Sequence, residues 1–147
     1  MTTLRKLSVV GTVTLLAIAG CNGQSSVVTG IVTLDGKPIA GGPLMYGTVS
    51  FYRTDGSGAP AVGIIEESGR YLLKTGTQGQ LPPGDYLVGV SVQQITPPAT
   101  PGGLPQPHLI THADYSSVTA SGFRASVKPG KNTFDFALNS GGPPHDN

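Results

Sequence analysis

The chain has 147 residues, a formal net charge of +1, 12% charged residues, 22 glycines, 13 prolines and one cysteine. That length holds one domain, the charge leaves no basic patch for nucleic acid, and a lone cysteine excludes an internal disulfide. So much Gly and Pro makes a turn-rich chain that is a poor helix former.

Residues 1–20 read as a targeting segment. Arg5 and Lys6 form a short positive region, and Leu7 to Ala19 then carries no charge and is mostly apolar. The stretch is shorter than the ~20 apolar residues that span a bilayer as a helix, and its length and flanks fit a signal peptide. It ends Ile18-Ala19-Gly20-Cys21, which resembles the bacterial lipobox. The resemblance implies a diacylglyceryl group on the Cys21 thiol, recognition of Ile18, Ala19 and Gly20 by a lipoprotein signal peptidase, and acylation of the new amino terminus. Stable anchoring needs at least two acyl chains, which this modification supplies. The expected partner at this end is therefore membrane lipid, through Cys21. Asn22 is not the aspartate that favours inner-membrane retention in enteric bacteria, which points to the outer membrane or cell surface. Losing residues 1–20 takes the net charge from +1 to −1.

Residues 21–26 form a short polar linker, whose five residues after Cys21 reach at most ~18 Å when extended. From Val27 onward short β-like runs alternate with turn signals. Val27 to Leu34 is β-branched and is broken by Asp35-Gly36-Lys37-Pro38. Thr48 to Tyr52 follows, with Val49 and Phe51 on one face. Ala61 to Glu66 and Arg70 to Thr75 flank a tight turn and read as a hairpin. Tyr86, Val88 and Val90 alternate in the next run. Residues 93–122 form a long interruption rich in Pro and Gly. Phe123 to Val127 and Thr133 to Leu138 then flank Pro129-Gly130-Lys131-Asn132 as a last hairpin. In the final run Phe134, Phe136 and Leu138 share a face, the period-2 mark of a half-buried strand. Residues 140–147 are expected to be a disordered tail.

Seven short strands without a helix-period segment imply an all-β fold: an antiparallel Ig-like sandwich over residues 27–139, with a small barrel as the competing closure. The expected core comprises Val32, Leu34, Val49, Phe51, Ile65, Tyr71, Leu73, Tyr86, Val88, Val90, Val127, Phe134, Phe136 and Leu138. At about 1.5–3 kcal/mol per large buried side chain, these suffice to drive folding.

Several stations resemble a carboxypeptidase regulatory-like domain. They are Val28 to Ile39 with its Asp-Gly-x-Pro turn, Val49-Ser50-Phe51, Gly69-Arg70-Tyr71-Leu72-Leu73, Pro83-Gly84-Asp85-Tyr86-Leu87-Val88, and Val127 to Phe136. The resemblance implies a seven-stranded, prealbumin-like Greek-key sandwich of the kind carried by small bacterial lipoproteins. The segment Ile64 to Ser68 and the enlarged turn Gly41 to Gly47 depart from the family's pattern.

Candidate chemistry is sparse. His108, His112 and Asp114 have ligand-like spacing, but on a Pro-flanked loop they read as solvated residues, with no metal and no cofactor expected. No nucleophile elbow is present, and Glu66 and Glu67, adjacent on a strand, would point to opposite faces. The expectation is a non-enzymatic, lipid-anchored envelope module that binds a protein, a glycan or a neighbouring copy. The alternative is an accessory domain of a secreted hydrolase. A structureless stretch as long as 93–122 is uncommon and often functional. Its apolar residues Leu104, Leu109, Ile110 and Tyr115 are candidates to meet the partner; in the alternative reading Ile110 and Tyr115 dock onto the sandwich, capping an open end or edge.

Overall fold

A computed structural model describes residues 26–74 and 81–144. The described residues are all-β, with ten strand segments: β1 (Ser26–Leu34), β2 (Lys37–Pro38), β3 (Met45–Arg53), β4 (Ala61–Ile64), β5 (Arg70–Leu72), β6 (Gly84–Thr96), β7 (Gln106–Leu109), β8 (Arg124–Val127), β9 (Gly130–Thr133) and β10 (Phe136–Leu138). A single helical turn, α1 (Ala113–Ser116), lies between β7 and β8. The strands form two sheets. In the first, β1 is central and pairs with β2, β5, β9 and β10. In the second, the order is β4-β3-β6-β7, and β8 pairs with β6.

The inner faces follow from alternation. Val49 and Phe51 of β3 lie opposite Val90 and Val88 of β6, and all four are fully buried. Val28 and Val32 of β1 supply the facing layer. Every residue of the expected core is buried except Leu34 and Phe134, which are half-buried and pack against it. Asp35 (φ 49°) and Gly36 (φ 79°) form the tight turn between β1 and β2. Positive φ at both central positions is the type I′ requirement behind the Asp-Gly hairpin signal. Tyr86 opens its strand's buried stripe and donates its hydroxyl to the Pro82 carbonyl at 2.6 Å, a tyrosine corner in the sense used for β-sandwiches.

Four expectations are corrected. First, the sheets are not wholly antiparallel: β9 and β10 both run parallel to β1. Phe123 to Val127 and Thr133 to Leu138 therefore form no hairpin. β8 belongs to the second sheet, and the chain crosses at Lys128-Pro129 to enter beside the start of β1, with Gly130 opposite Ser26. The Pro-Gly signal marks the change of direction but not the sheet that receives the next strand. Second, the expected hairpin is present, its arms joined by the antiparallel bridges Val62–Lys74 and Ile65–Tyr71, but β4 and β5 belong to different sheets. The expected hairpin is the corner that closes one side of the sandwich.

Third, residues 93–122 are not a structureless insertion. β6 continues to Thr96 and folds back as β7, with Gln94 opposite His108 and Thr96 opposite Gln106. Ile110 donates to the Val92 carbonyl at 3.0 Å, so the even-numbered positions of β7 face β6. Pro107 therefore faces the free edge, where its missing N–H costs no ladder bond. The segment around α1 then fills the gap along β6 between β7 and β8: the Ser121 hydroxyl donates to the Val88 carbonyl at 2.5 Å. Fourth, residues 140–144 of the expected disordered tail are held on the sandwich, and residues 145–147 lie outside the described residues. The Ser140 N–H donates to Asp35 Oδ1 at 3.0 Å, and Gly142 and Pro143 are buried.

Candidate functional site

The strand directions give the sandwich two distinct ends. At one end lie Ser26, where β1 begins, the crossover at Lys128–Gly130, and the start of β6. At the other lie the Asp35–Met45 segment, Glu66–Gly69 and the β6–β7 hairpin.

At the far end a groove of about 490 Å³ is lined by Leu34, Asp35, Lys37, Pro38, Ile39, Ala40, Met45 and Ile110. Its floor is apolar because the chain turns out of β1 at Asp35-Gly36 and returns with Ile39 buried. The Ile39 N–H donates to the Val32 carbonyl at 3.0 Å. Asp35 and Lys37 are exposed and form a charged rim. Ile110 enters from the segment after β7, and Leu44 joins the hairpin to this end through the Ile95 N–H to Leu44 carbonyl bond of 2.8 Å.

The four apolar residues expected to meet a partner are placed differently from one another. Leu104 is 79% exposed and Leu109 is 45% exposed, so both are available. Ile110 is half-buried in the groove wall. Tyr115 is 1% exposed, so of the two readings it follows the one in which it docks onto the sandwich. Its ring stacks on Phe123 with centroids 5.5 Å apart, and its hydroxyl accepts the Asn139 N–H at 3.1 Å. Cys21, Ile18, Ala19 and Gly20 lie outside the described residues.

The histidines of this segment have local roles. His108 Nδ1 is 3.5 Å from the Thr96 hydroxyl across the hairpin. His112 caps α1, its Nδ1 accepting the Asp114 N–H at 3.3 Å, and lies 3.5 Å from the Asp114 carboxylate. No group of three His, Cys, Asp or Glu among the described residues is placed to hold a metal ion. No helix among them is long and apolar enough to cross a membrane.

A second groove, of about 600 Å³, lies toward the Ser26 end and is lined by Thr54, Asp85, Tyr86, Arg124, Ala125 and Ser126. Next to it Arg53 bonds Asp55 at 2.9 Å, donates to the Pro83 carbonyl at 3.3 Å, and lies 5.8 Å from the centre of the Tyr86 ring. The hydrogen bonds from the Arg53 side chain, then from Ser57, hold the Asp55 carboxyl well below the usual range. Arg53 is thus occupied in bracing the Asp55–Gly58 turn. Sequence reading missed both grooves, because each is assembled from segments far apart in the chain.

No protein-family model and no curated protein matches this chain. A search of solved structures finds a likeness to the dioxygenase domain of a dioxygenase–carbohydrate-binding protein fusion from the cellulolytic bacterium Streptomyces sp. SirexAA-E. The identity is 17%, the match covers 82% of this chain and 83% of that one, and the TM-score is 0.38. That neighbour is a dioxygenase domain, and the expectation that this chain is not an enzyme is withdrawn. The expectation rested on the lack of a local motif. Catalytic groups are commonly assembled across a fold, where no local motif records them. At this TM-score the likeness carries no argument for dioxygenase activity in this chain.

Proposed function

We propose that the chain is a lipid-anchored module of the cell envelope, held through Cys21, that binds an envelope protein at the end of the sandwich remote from Ser26. The carrying observation is the pairing of the apolar groove around Ile39, Met45 and Ile110 with the solvent-exposed Leu104 and Leu109 on the neighbouring hairpin segment. Exposed apolar groups beside an apolar groove suit a protein side chain better than a glycan. β1 runs ~30 Å from the linker end to this groove, at ~3.3 Å per residue, which carries the groove clear of a lipid surface at Cys21. We read the sandwich as the seven-stranded, prealbumin-like Greek key of a carboxypeptidase regulatory-like domain, with β2, β7 and β9 as local additions. The Asp35-Gly36 turn and the Tyr86 corner, both at stations of that pattern, support this reading.

Two measurements test the proposal. Cys21→Ser is expected to abolish incorporation of labelled fatty acid and to leave uncut or soluble protein. Mass spectrometry of the native protein showing an unmodified N-terminus elsewhere would rule the anchor out. The double substitution Leu104→Ser/Leu109→Ser is expected to remove crosslinks to a partner in intact cells. Its effect on stability should stay within about 0.5 kcal/mol, the usual range for exposed positions. A marked fall in melting temperature would instead show that these residues hold the hairpin.

A further inference from the structure

We propose that the Ser26 end of the sandwich is a lipid-facing base, on which Lys128, Lys131 and Lys74 contact the phosphates of anionic headgroups. The inference rests on the Cys21 anchor and adds an orientation to it.

Charge is distributed unevenly along the strand axis. Around the start of β1 stand Arg53, Lys74, Lys128 and Lys131, with Asp55 and Asp85 as the carboxylates. Lys131 is opposite Val27, Lys74 follows Leu73, whose N–H donates to Val28, and Lys128 begins the crossover beside Ser26. Arg53 is occupied by Asp55. The three lysines are exposed and make no ion pair among the described residues. At the other end Asp35 and Glu67 stand with Lys37, while Glu66 lines an outer groove together with Lys74. The excess of unpaired cations at the base gives the molecule a preferred orientation over a negative surface.

The two crossover lysines are held in place. Asn132 braces the turn from both sides: its Oδ1 accepts the Lys128 N–H at 2.9 Å, and its Nδ2 donates to the carbonyls of Lys128 at 2.7 Å and Gly130 at 3.2 Å. Pro129 stiffens the same turn. The backbone that carries both lysines is thereby fixed at one corner of the sandwich.

Distance makes the contact effective. Five residues after Cys21 cannot hold Ser26 more than ~18 Å from an acylated cysteine, and surface potentials fall off over ~8–10 Å. Within that tether the lysines need only rotate into range. Each lysine near an anionic leaflet is worth roughly fivefold, at about 1 kcal/mol apiece, so Lys128 and Lys131 together bias the orientation by about thirtyfold.

The test uses the full chain, purified from cells that lipidate it and reconstituted on phosphatidylcholine vesicles with or without phosphatidylglycerol. Amine acetylation, read by mass spectrometry, reports each lysine separately, with Lys37 at the opposite end as internal control. Lys128, Lys131 and Lys74 are expected to react several-fold more slowly when phosphatidylglycerol is present, while Lys37 is unchanged, and high salt should erase the difference. Lys128→Glu/Lys131→Glu should also erase it at Lys74. Equal reactivity on both vesicles, or equal protection of Lys37, would overturn the base. Flotation separates the two claims. Protein that floats with both vesicle types but shows no protection retains the anchor and loses the base. Protein that floats only with phosphatidylglycerol, in a salt-sensitive way, retains the base and loses the anchor. Protein that floats with neither loses both.

Discussion

Gly30→Ala is expected to prevent the chain from folding. A Cβ at this position would lie 1.7 Å from the Phe134 carbonyl oxygen, 2.7 Å from its carbon and 2.8 Å from the Tyr71 ring. Two of these atoms are backbone, and that backbone cannot retreat. The Phe134 N–H donates to the Thr29 carbonyl at 2.9 Å, and its carbonyl accepts the Tyr71 hydroxyl at 2.7 Å. In the next residue, Asp135 Oδ1 accepts the Ile31 N–H at 2.9 Å. The chain between β9 and β10 is thus pressed onto Gly30, and the Asp135 carboxylate takes the ladder bond that the interruption would leave open. A methyl group would break these bonds together and pull Tyr71 from the core. Tyr71 is buried, and that burial, then Asp135, raises its pKa above the usual range, so it serves here as a neutral donor. Single substitutions that cost more than about 4 kcal/mol come from such mechanisms, and a domain holds only about 5–15 kcal/mol in total. Far-UV circular dichroism and urea denaturation of Gly30→Ala would check this. A denaturation midpoint like that of the parent would show that β1 and Phe134 do not approach as described.

The glycine at this position carried no signal in the sequence. Val28-Thr29-Gly30-Ile31-Val32 reads as a β-branched run in which glycine is only a weak spot. Its necessity comes from Phe134, more than a hundred residues away, running parallel to it. Period-2 alternation says which face of a strand is buried and nothing about which strand lies beside it. That is why the buried stripes of β3, β6 and β10 were legible, and the parallel pairing of β1 with β9 and β10 was not.

The segment after β6 was illegible for a different reason. Gln93 and Gln94 lack the apolar alternation of the first half of the strand, and Pro107 argues against a strand at all. Both objections lapse at a sheet edge, where one face is wet and an outward-facing proline loses no ladder bond. Tyr115 had no periodic neighbours to mark it as core, because one turn of helix is too short to show a period. Of the candidate sites, the lipobox-like ending at Cys21 is local and was readable as a pattern. The groove and the lysine base depend on which segments share an end of the sandwich, and only the topology supplies that.

Phe136→Ala is expected to cost about 3–5 kcal/mol, the range for deleting a buried aromatic ring. Phe136 is 5% exposed and joins the two sheets through its ring neighbours. Phe51 of β3 lies edge-on at 6.1 Å, Tyr71 stacks at 6.0 Å, and Phe123 is tilted at 5.0 Å. Phe51 continues the cluster to Tyr86 at 5.9 Å, and Phe123 continues it to Tyr115 at 5.5 Å. Removing the central ring leaves a void between β10, β3 and the segment that carries α1. Neighbours on two sheets and a helical turn cannot all close over it, so the cavity term adds to the lost transfer energy. The damage should not be uniform. Tyr115 and Phe123 anchor the segment that plugs the gap along β6, and Phe136 is the floor they rest on. Hydrogen exchange should therefore rise first at Tyr115, whose N–H donates to the His112 carbonyl at 3.1 Å, and at Ser121, whose N–H donates to Ser117 at 2.8 Å. Amides in the β3–β6 ladder should open only with global unfolding. Phe136→Leu refills much of the volume and is expected to recover most of the loss. A denaturation midpoint unchanged in Phe136→Ala would place that ring outside the core, and with it the strand assignment of the last run.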